Sequence, residues 1–133
     1  MHSIKTACNV ATRILGFVNA PSLMQKVIGR CVDVDVSENI AAYNRNRETL
    51  YKGLLELGFE CIKPEGAFYM FVKTPVDDKE FCERAKKYNI LIVPGSTFAC
   101  PGFARIAYCV SYNTITNSLP QFKKLAEEFG LTD

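Results

Sequence analysis

Apolar residues recur at helical spacing near the start of the chain, through Val10, Ile14 and Phe17-Val18, and resume through Leu23, Val27, Ile28 and Cys31. Asn19-Ala20-Pro21-Ser22 interrupts the pattern, with Ser22 placed to cap the second piece, so residues 1 to 32 read as helix, turn, helix. Both pieces are apolar on too many sides for an isolated surface pair; a segment of this kind lies against a larger body. From Ser37 the spacing predicts a helix with a buried stripe of Ile40, Tyr43, Leu50, Leu54 and Leu57, closed by Gly58. Phe59 to Lys63 and Ala67 to Val72 are β-rich runs joined by Pro64-Glu65-Gly66, in which Gly66 can take a positive φ; together they predict an antiparallel hairpin. Asp77 and Glu80 form a capping-box pattern opening a short helix with Phe81, Ala85 and Tyr88 on one face and Asn89 at its end. Ile90 to Val93 reads as a short buried strand and Phe103 to Val110 as another, with a loop between them bracketed by Pro94-Gly95-Ser96 and Pro101-Gly102. A last helix follows the pattern Ile115, Leu119, Phe122, Leu125, Phe129, with Asn113 and Ser118 as cap candidates and Pro120 demanding a kink or a restart. After residue 37 the order is α β β α β β α. It predicts an α+β fold: a small, mainly antiparallel sheet with helices packed on one face.

Composition narrows the function classes. The chain has 133 residues, 48% hydrophobic and 23% charged, which is the balance of a globular domain. A net charge of +2, with Lys86-Lys87 and Lys123-Lys124 as isolated basic pairs, is too little for a nucleic-acid footprint. No apolar run approaches the roughly 20 residues of a membrane span, and the residues after Met1 carry no signal-peptide pattern, so the expectation is a cytoplasmic chain with no membrane partner. Cys8, Cys31, Cys61, Cys82, Cys100 and Cys109 are unevenly spaced, and the single histidine is His2. That set does not suggest a zinc site; in a reducing compartment the thiols read as mostly buried, small apolar side chains.

One residue stands apart chemically. Arg105 lies in Phe103-Ala104-Arg105-Ile106-Ala107-Tyr108-Cys109-Val110, and the nearest acids in sequence are Glu83 and Glu127. An unpaired guanidinium in such a strand is costly to bury, so it needs a partner. That partner is either a ligand carboxylate gripped in bidentate geometry or an acid brought close by folding, unless the arginine lies at an open sheet edge. The Pro-Gly turns before the strand would let a small ligand approach the backbone closely. Gly66-Ala67-Phe68-Tyr69 could offer amide groups to a ligand, though a packed hairpin accounts for it. Tyr69, Tyr108 and Tyr112 are acid/base candidates in principle, with a core role the default, and caps explain Asn19 and Ser22. Phosphate loops, nucleophile elbows and His-based triads are absent from the sequence.

The runs Arg13 to Ser22, Lys63 to Tyr69, Val93 to Phe98 and Pro101 to Tyr108 together resemble the C-terminal part of class I/II aminotransferases, the fold-type I pyridoxal-phosphate enzymes, of the bacterial aspartate-aminotransferase type. The resemblance covers essentially the whole chain. Gly102 to Arg105 matches the family's Gly-x-x-Arg motif, which implies that Arg105 binds the α-carboxylate of the amino-acid substrate. The Asn19 to Ser22 turn resembles a segment near the family's dimer interface, which implies at most a peripheral role for Asn19.

The cofactor implied is pyridoxal 5′-phosphate, yet no lysine here sits in the motif that attaches it, and the family's cofactor-binding groups lie upstream. The expectation is therefore a fragment: residues 1–33 as the end of a large domain with its connecting helices, and 34–133 as the small C-terminal domain, with Met1 an internal boundary or an expression start. The implied partners are amino-acid and 2-oxo-acid substrates, the parent's large domain, and a second copy in a homodimer. On this reading the isolated chain is catalytically silent. Two alternatives stay open: the small domain of another fold-type I lyase or decarboxylase, and a stand-alone α+β module that binds carboxylates.

Overall fold

A computed structural model describes residues 2–132; Met1, Asp133 and the side chain of His2 lie outside the described residues, and with them the reading of Met1 as a boundary. The chain divides into two compact units, Met1–Val36 and Ser37–Asp133. In the first unit, α1 (His2–Ile14) and α2 (Ser22–Cys31) flank the Asn19–Pro21 break. Pro21, not Ser22, occupies the N-cap of α2 and offers no side-chain cap; Gln25 instead reaches back to the Ala20 carbonyl at 2.6 Å. Ser22 already has helical geometry, which is why it cannot serve as the cap. No residue of α2 is buried within this unit, and Ile4, Val10, Ile14, Phe17, Leu23 and Ile28 are all exposed.

The second unit holds α3 (Ser37–Glu56), β1 (Cys61–Ile62), β2 (Tyr69–Lys73), α4 (Asp78–Ala85), β3 (Val93–Pro94), β4 (Phe103–Ala107) and α5 (Tyr112–Glu128). Its sheet runs β1-β2-β4-β3, antiparallel throughout, with Phe71 opposite Arg105 and Arg105 opposite Val93. Helices cover one face. Leu50 and Leu54 of α3, Phe81 and Ala85 of α4, and Ile115, Phe122 and Leu125 of α5 enclose Met70, Val72, Ala104 and Ile106 from the sheet. Alternation along the strands turns Tyr69, Phe71, Phe103 and Arg105 to the other face, which no helix of this unit covers.

Three helices end in the same hydrogen-bond pattern. Phe59 N–H donates to Leu54 and Gly58 N–H to Leu55; Ile90 to Ala85 and Asn89 to Lys86; Leu131 to Ala126 and Gly130 to Glu127. The pivots Gly58, Asn89 and Gly130 all have positive φ, as this termination requires. Each returns an apolar residue to the core side of the helix it ends.

Several local expectations are corrected. Ile90 is buried but Leu91 is 83% exposed, and pairing begins only at Val93, because the Asn89 cap drives Ile90 into the core and turns the chain away from β4. Pro94 is tolerated because β3 is an edge strand. The last strand ends at Ala107, not Val110: Asn46 Nδ2 donates to the Tyr108 and Val110 carbonyls at 3.1 and 2.7 Å, so these groups need no strand partner. Ile40, 60% exposed, and Tyr43 do not join the buried stripe of α3, since only the second half of that helix meets the core. The cap of α5 is Ser111, whose Oγ accepts from Thr114 N at 3.1 Å, and the helix runs through Pro120 without restarting. At the hairpin turn the left-handed residue is Ala67 (φ 63°), not Gly66. Of the six cysteines, all free, only Cys82 is buried; Cys8, Cys31 and Cys109 are exposed, because their positions fall on faces that nothing in their own unit covers.

Candidate carboxylate-binding site

Arg105 is the third residue of β4 and half-buried on the uncovered face of the sheet. Its guanidinium carbon lies 3.6 Å from the centre of the Phe98 ring and 4.1 Å from that of Tyr69. The two rings come from opposite sides of β4: Tyr69 from β2, and Phe98 from the 3₁₀ turn Gly95–Phe98 that follows β3. Ring contacts of this kind attract a cation through its flat faces and leave the N–H edge for an acceptor. Among the described residues no carboxylate pairs with Arg105, although Arg47 has one and Arg84 two. Folding therefore brings no internal acid to it, and the arginine does not lie on an edge strand, since β4 pairs on both sides.

The turn that carries Phe98 is fixed by short-range forces. Gly95 is buried, and a Cβ there would run into the carbonyl oxygens of Cys100 and Phe103. Cys100 N–H closes the turn on the Gly95 carbonyl at 2.9 Å, and Thr97 Oγ1 donates to the Pro94 carbonyl at 2.7 Å. Ala99 consequently adopts φ 56°, an uncommon conformation for a residue with a Cβ. From α4, the Asp78 carboxylate accepts the Ser96 N–H at 2.6 Å. That hydrogen bond holds the Asp78 carboxyl below the usual carboxylate range, against the opposing effect of burial.

The other sequence candidates fall elsewhere. Tyr108 faces the core, and its hydroxyl donates to the Gly66 and Ala67 carbonyls at 3.0 and 2.8 Å; burial pushes its pKa up, so it is a brace for the hairpin turn. Tyr112 stacks under Arg45 at 4.3 Å. Tyr69 alone of the tyrosines joins Arg105. Asn19 belongs to the first unit, in the break between α1 and α2. A groove of about 580 Å³ bounded by Leu50, Ile90, Leu91, Ile106, Ile115 and Phe122 opens on the helix side, away from Arg105, and no charged residue lines it. Sequence reasoning did not single out Asp78, Phe98 or Asn46; the only local sign was the Asp77-Asp78 doublet at the start of α4.

Residues 4–120 match the family described as Aminotransferase class I and II. The chain belongs to that family. An aspartate aminotransferase of Thermotoga maritima is 33% identical over 95 residues, 71% of this chain and 25% of the relative. An aromatic-amino-acid aminotransferase of Thermococcus litoralis is 35% identical over 99 residues, 70% of this chain and 25% of the relative. Among solved structures, an aminotransferase from Eubacterium rectale superposes with a TM-score of 0.80 at 48% identity, covering 90% of this chain and 30% of that one. The chain thus spans about a quarter of the length of the curated relatives it matches.

The family implies pyridoxal phosphate, but the residues present do not fit it. All ten lysines are exposed, and Lys63, Lys73, Lys86 and Lys87 are committed to Glu48, Glu60, Glu83 and Glu128. None is among the groups in contact with Arg105. No helix of the described residues is long and apolar enough to cross a membrane.

Proposed function

We propose that this chain provides the carboxylate-binding side of an aspartate-aminotransferase-type active site, in which an amino acid passes its amino group to a 2-oxo acid. The observation that carries the reading is Arg105, stacked on two rings with its charge unmatched by any described acid. A substrate carboxylate would accept two parallel N–H bonds from the guanidinium edge, which fixes both the position and the plane of the bound molecule. Such positioning lowers the entropic part of the barrier. Residues 34–133 correspond to the small domain, and residues 1–33, with their apolar helices, to the end of the large one. Pyridoxal phosphate and its attachment lysine belong to sequence outside this chain, so the isolated chain is catalytically silent. Asn19 is peripheral, near the interface of a cytoplasmic homodimer.

The test is Arg105→Lys in the aminotransferase that carries this chain. Lysine keeps the charge but loses the planar fork and the stacking, so KM for the amino acid rises about tenfold or more while cofactor binding is unchanged. An unchanged KM removes Arg105 from the site.

A further inference from the structure

Arg105 is not held by its own strand alone, and the element that completes its setting has a buried anchor. We infer that Asp78, one helix away from the site, is a positioning residue for Arg105, acting through the Ser96 amide and the Phe98 ring. The functional meaning of this link rests on the carboxylate-binding reading above; the link itself does not.

Asp78 is only 2% exposed, and it is the one carboxylate in the core of the described residues. A buried carboxylate is costly unless its hydrogen bonds are satisfied. Its position as first residue of α4 supplies a favourable helix terminus, but the cap itself is already provided by Asp77, which accepts from Lys79 and Glu80 N–H at 3.1 and 3.2 Å. Asp78 is therefore not needed to start the helix. Its Oδ2 points across to the opening of the Gly95–Phe98 turn and takes the Ser96 N–H, a charge-assisted bond of 2.6 Å. Two residues beyond Ser96, the Phe98 ring meets the Arg105 guanidinium. Gly95 packs against the Phe103 carbonyl, so the same turn is also keyed to the start of β4. The route from Asp78 to Arg105 is thus one hydrogen bond, one tight turn and one ring contact.

A purely structural aspartate would stabilise the domain without governing where the guanidinium sits. The two roles separate in the 133-residue chain by nuclear magnetic resonance. In the wild type, the Arg105 side-chain Nε–H proton is shifted by the currents of the Tyr69 and Phe98 rings. Asp78→Asn keeps the shape but removes the charge that tightens the Ser96 bond; the Arg105 resonance then moves toward those of the exposed arginines. Phe98→Leu, at an exposed ring, moves it in the same direction. Because Asp78 acts through Phe98, the double variant moves it no further than Phe98→Leu alone. A core substitution such as Ile115→Val, destabilising without touching the turn, leaves the resonance in place. Should Asp78→Asn lose its dispersed spectrum, Asp78→Glu, which retains the charge but displaces it, is read in the same way.

Succinate titration forms a second arm: the Asp78 variant binds it about two- to fivefold more weakly than wild type, the range expected for loss of one exposed cation–ring contact. An Arg105 resonance unmoved by the Asp78 substitution, or single-variant shifts that add in the double variant, overturns the inference. Succinate binding that is indifferent to Arg105→Lys overturns the carboxylate reading instead, while the resonance arm still decides the link.

Discussion

Gly53 lies inside α3, where glycine is a poor helix former, and the reason it is needed there can be weighed. A Cβ at this position would come 2.6 and 2.9 Å from the two Cδ atoms of Leu119 and 3.3 Å from its Cγ, so an alanine there requires the Leu119 side chain to move. Replacing glycine by alanine in a helix interior ordinarily gains about 0.5–1 kcal/mol. Forcing a methyl group into a filled contact costs about 1–3 kcal/mol. Leu119 is half-buried, so its tip can give way partly, and Gly53→Ala should destabilise the domain by about 1 kcal/mol. In a Leu119→Ala background all three clashing atoms are gone; there the same substitution should stabilise by about 0.5–1 kcal/mol. Urea unfolding of the four proteins in the cycle, with unchanged m-values, measures the coupling. A Gly53→Ala effect of the same sign and size in both backgrounds refutes the packing account.

Other outcomes follow from the charges and thiols. Asp78 has a lowered folded-state pKa, so its contribution to stability is fully present above the usual carboxyl value of 3.8 and is lost as pH falls through the lower folded value. Asp78→Asn should therefore flatten the acid limb of the stability curve, measured as the urea midpoint between about pH 4 and pH 2; an unchanged slope contradicts the Ser96 bond. Burial pushes the Cys61 thiol to about 12 and, with help from the Asp78 and Glu83 charges, the Cys82 thiol to about 11. Alkylation with iodoacetamide near neutral pH, followed by peptide mass mapping, should label Cys8, Cys31 and Cys109 first and Cys82 last; early labelling of Cys82 shows the core to be open.

What the sequence disclosed depended on the range of the physical cause. Gly58 and Asn89 ended their helices as read, because a left-handed C-terminal residue is a local requirement. Arg105 was visible because a single charge in an apolar strand needs a partner wherever the strand lies. The failures are at long range. Asn46 decides where β4 ends from more than sixty positions away, through the Tyr108 and Val110 carbonyls, and nothing near Phe103 to Val110 announces it. Leu91 reads as buried by composition, but the Asn89 cap faces it to solvent. Asp78 follows directly on the cap residue Asp77, and its reach to Ser96 is a property of how α4 meets the turn after β3. Within the site, then, the charged group was legible, whereas the two rings and the buried acid that set its geometry required the tertiary arrangement.

The central claim is that the Arg105 guanidinium edge receives a ligand carboxylate. The most direct test is a crystal structure, bound to an unreactive dicarboxylate such as succinate, of the longer aminotransferase to which the proposed function assigns this chain. The account predicts one carboxylate paired with Arg105 through two N–H···O contacts of about 2.7–2.9 Å, with the Tyr69 and Phe98 rings still against the guanidinium. A ligand seated elsewhere, with Arg105 paired to an acid of the protein itself, would contradict it.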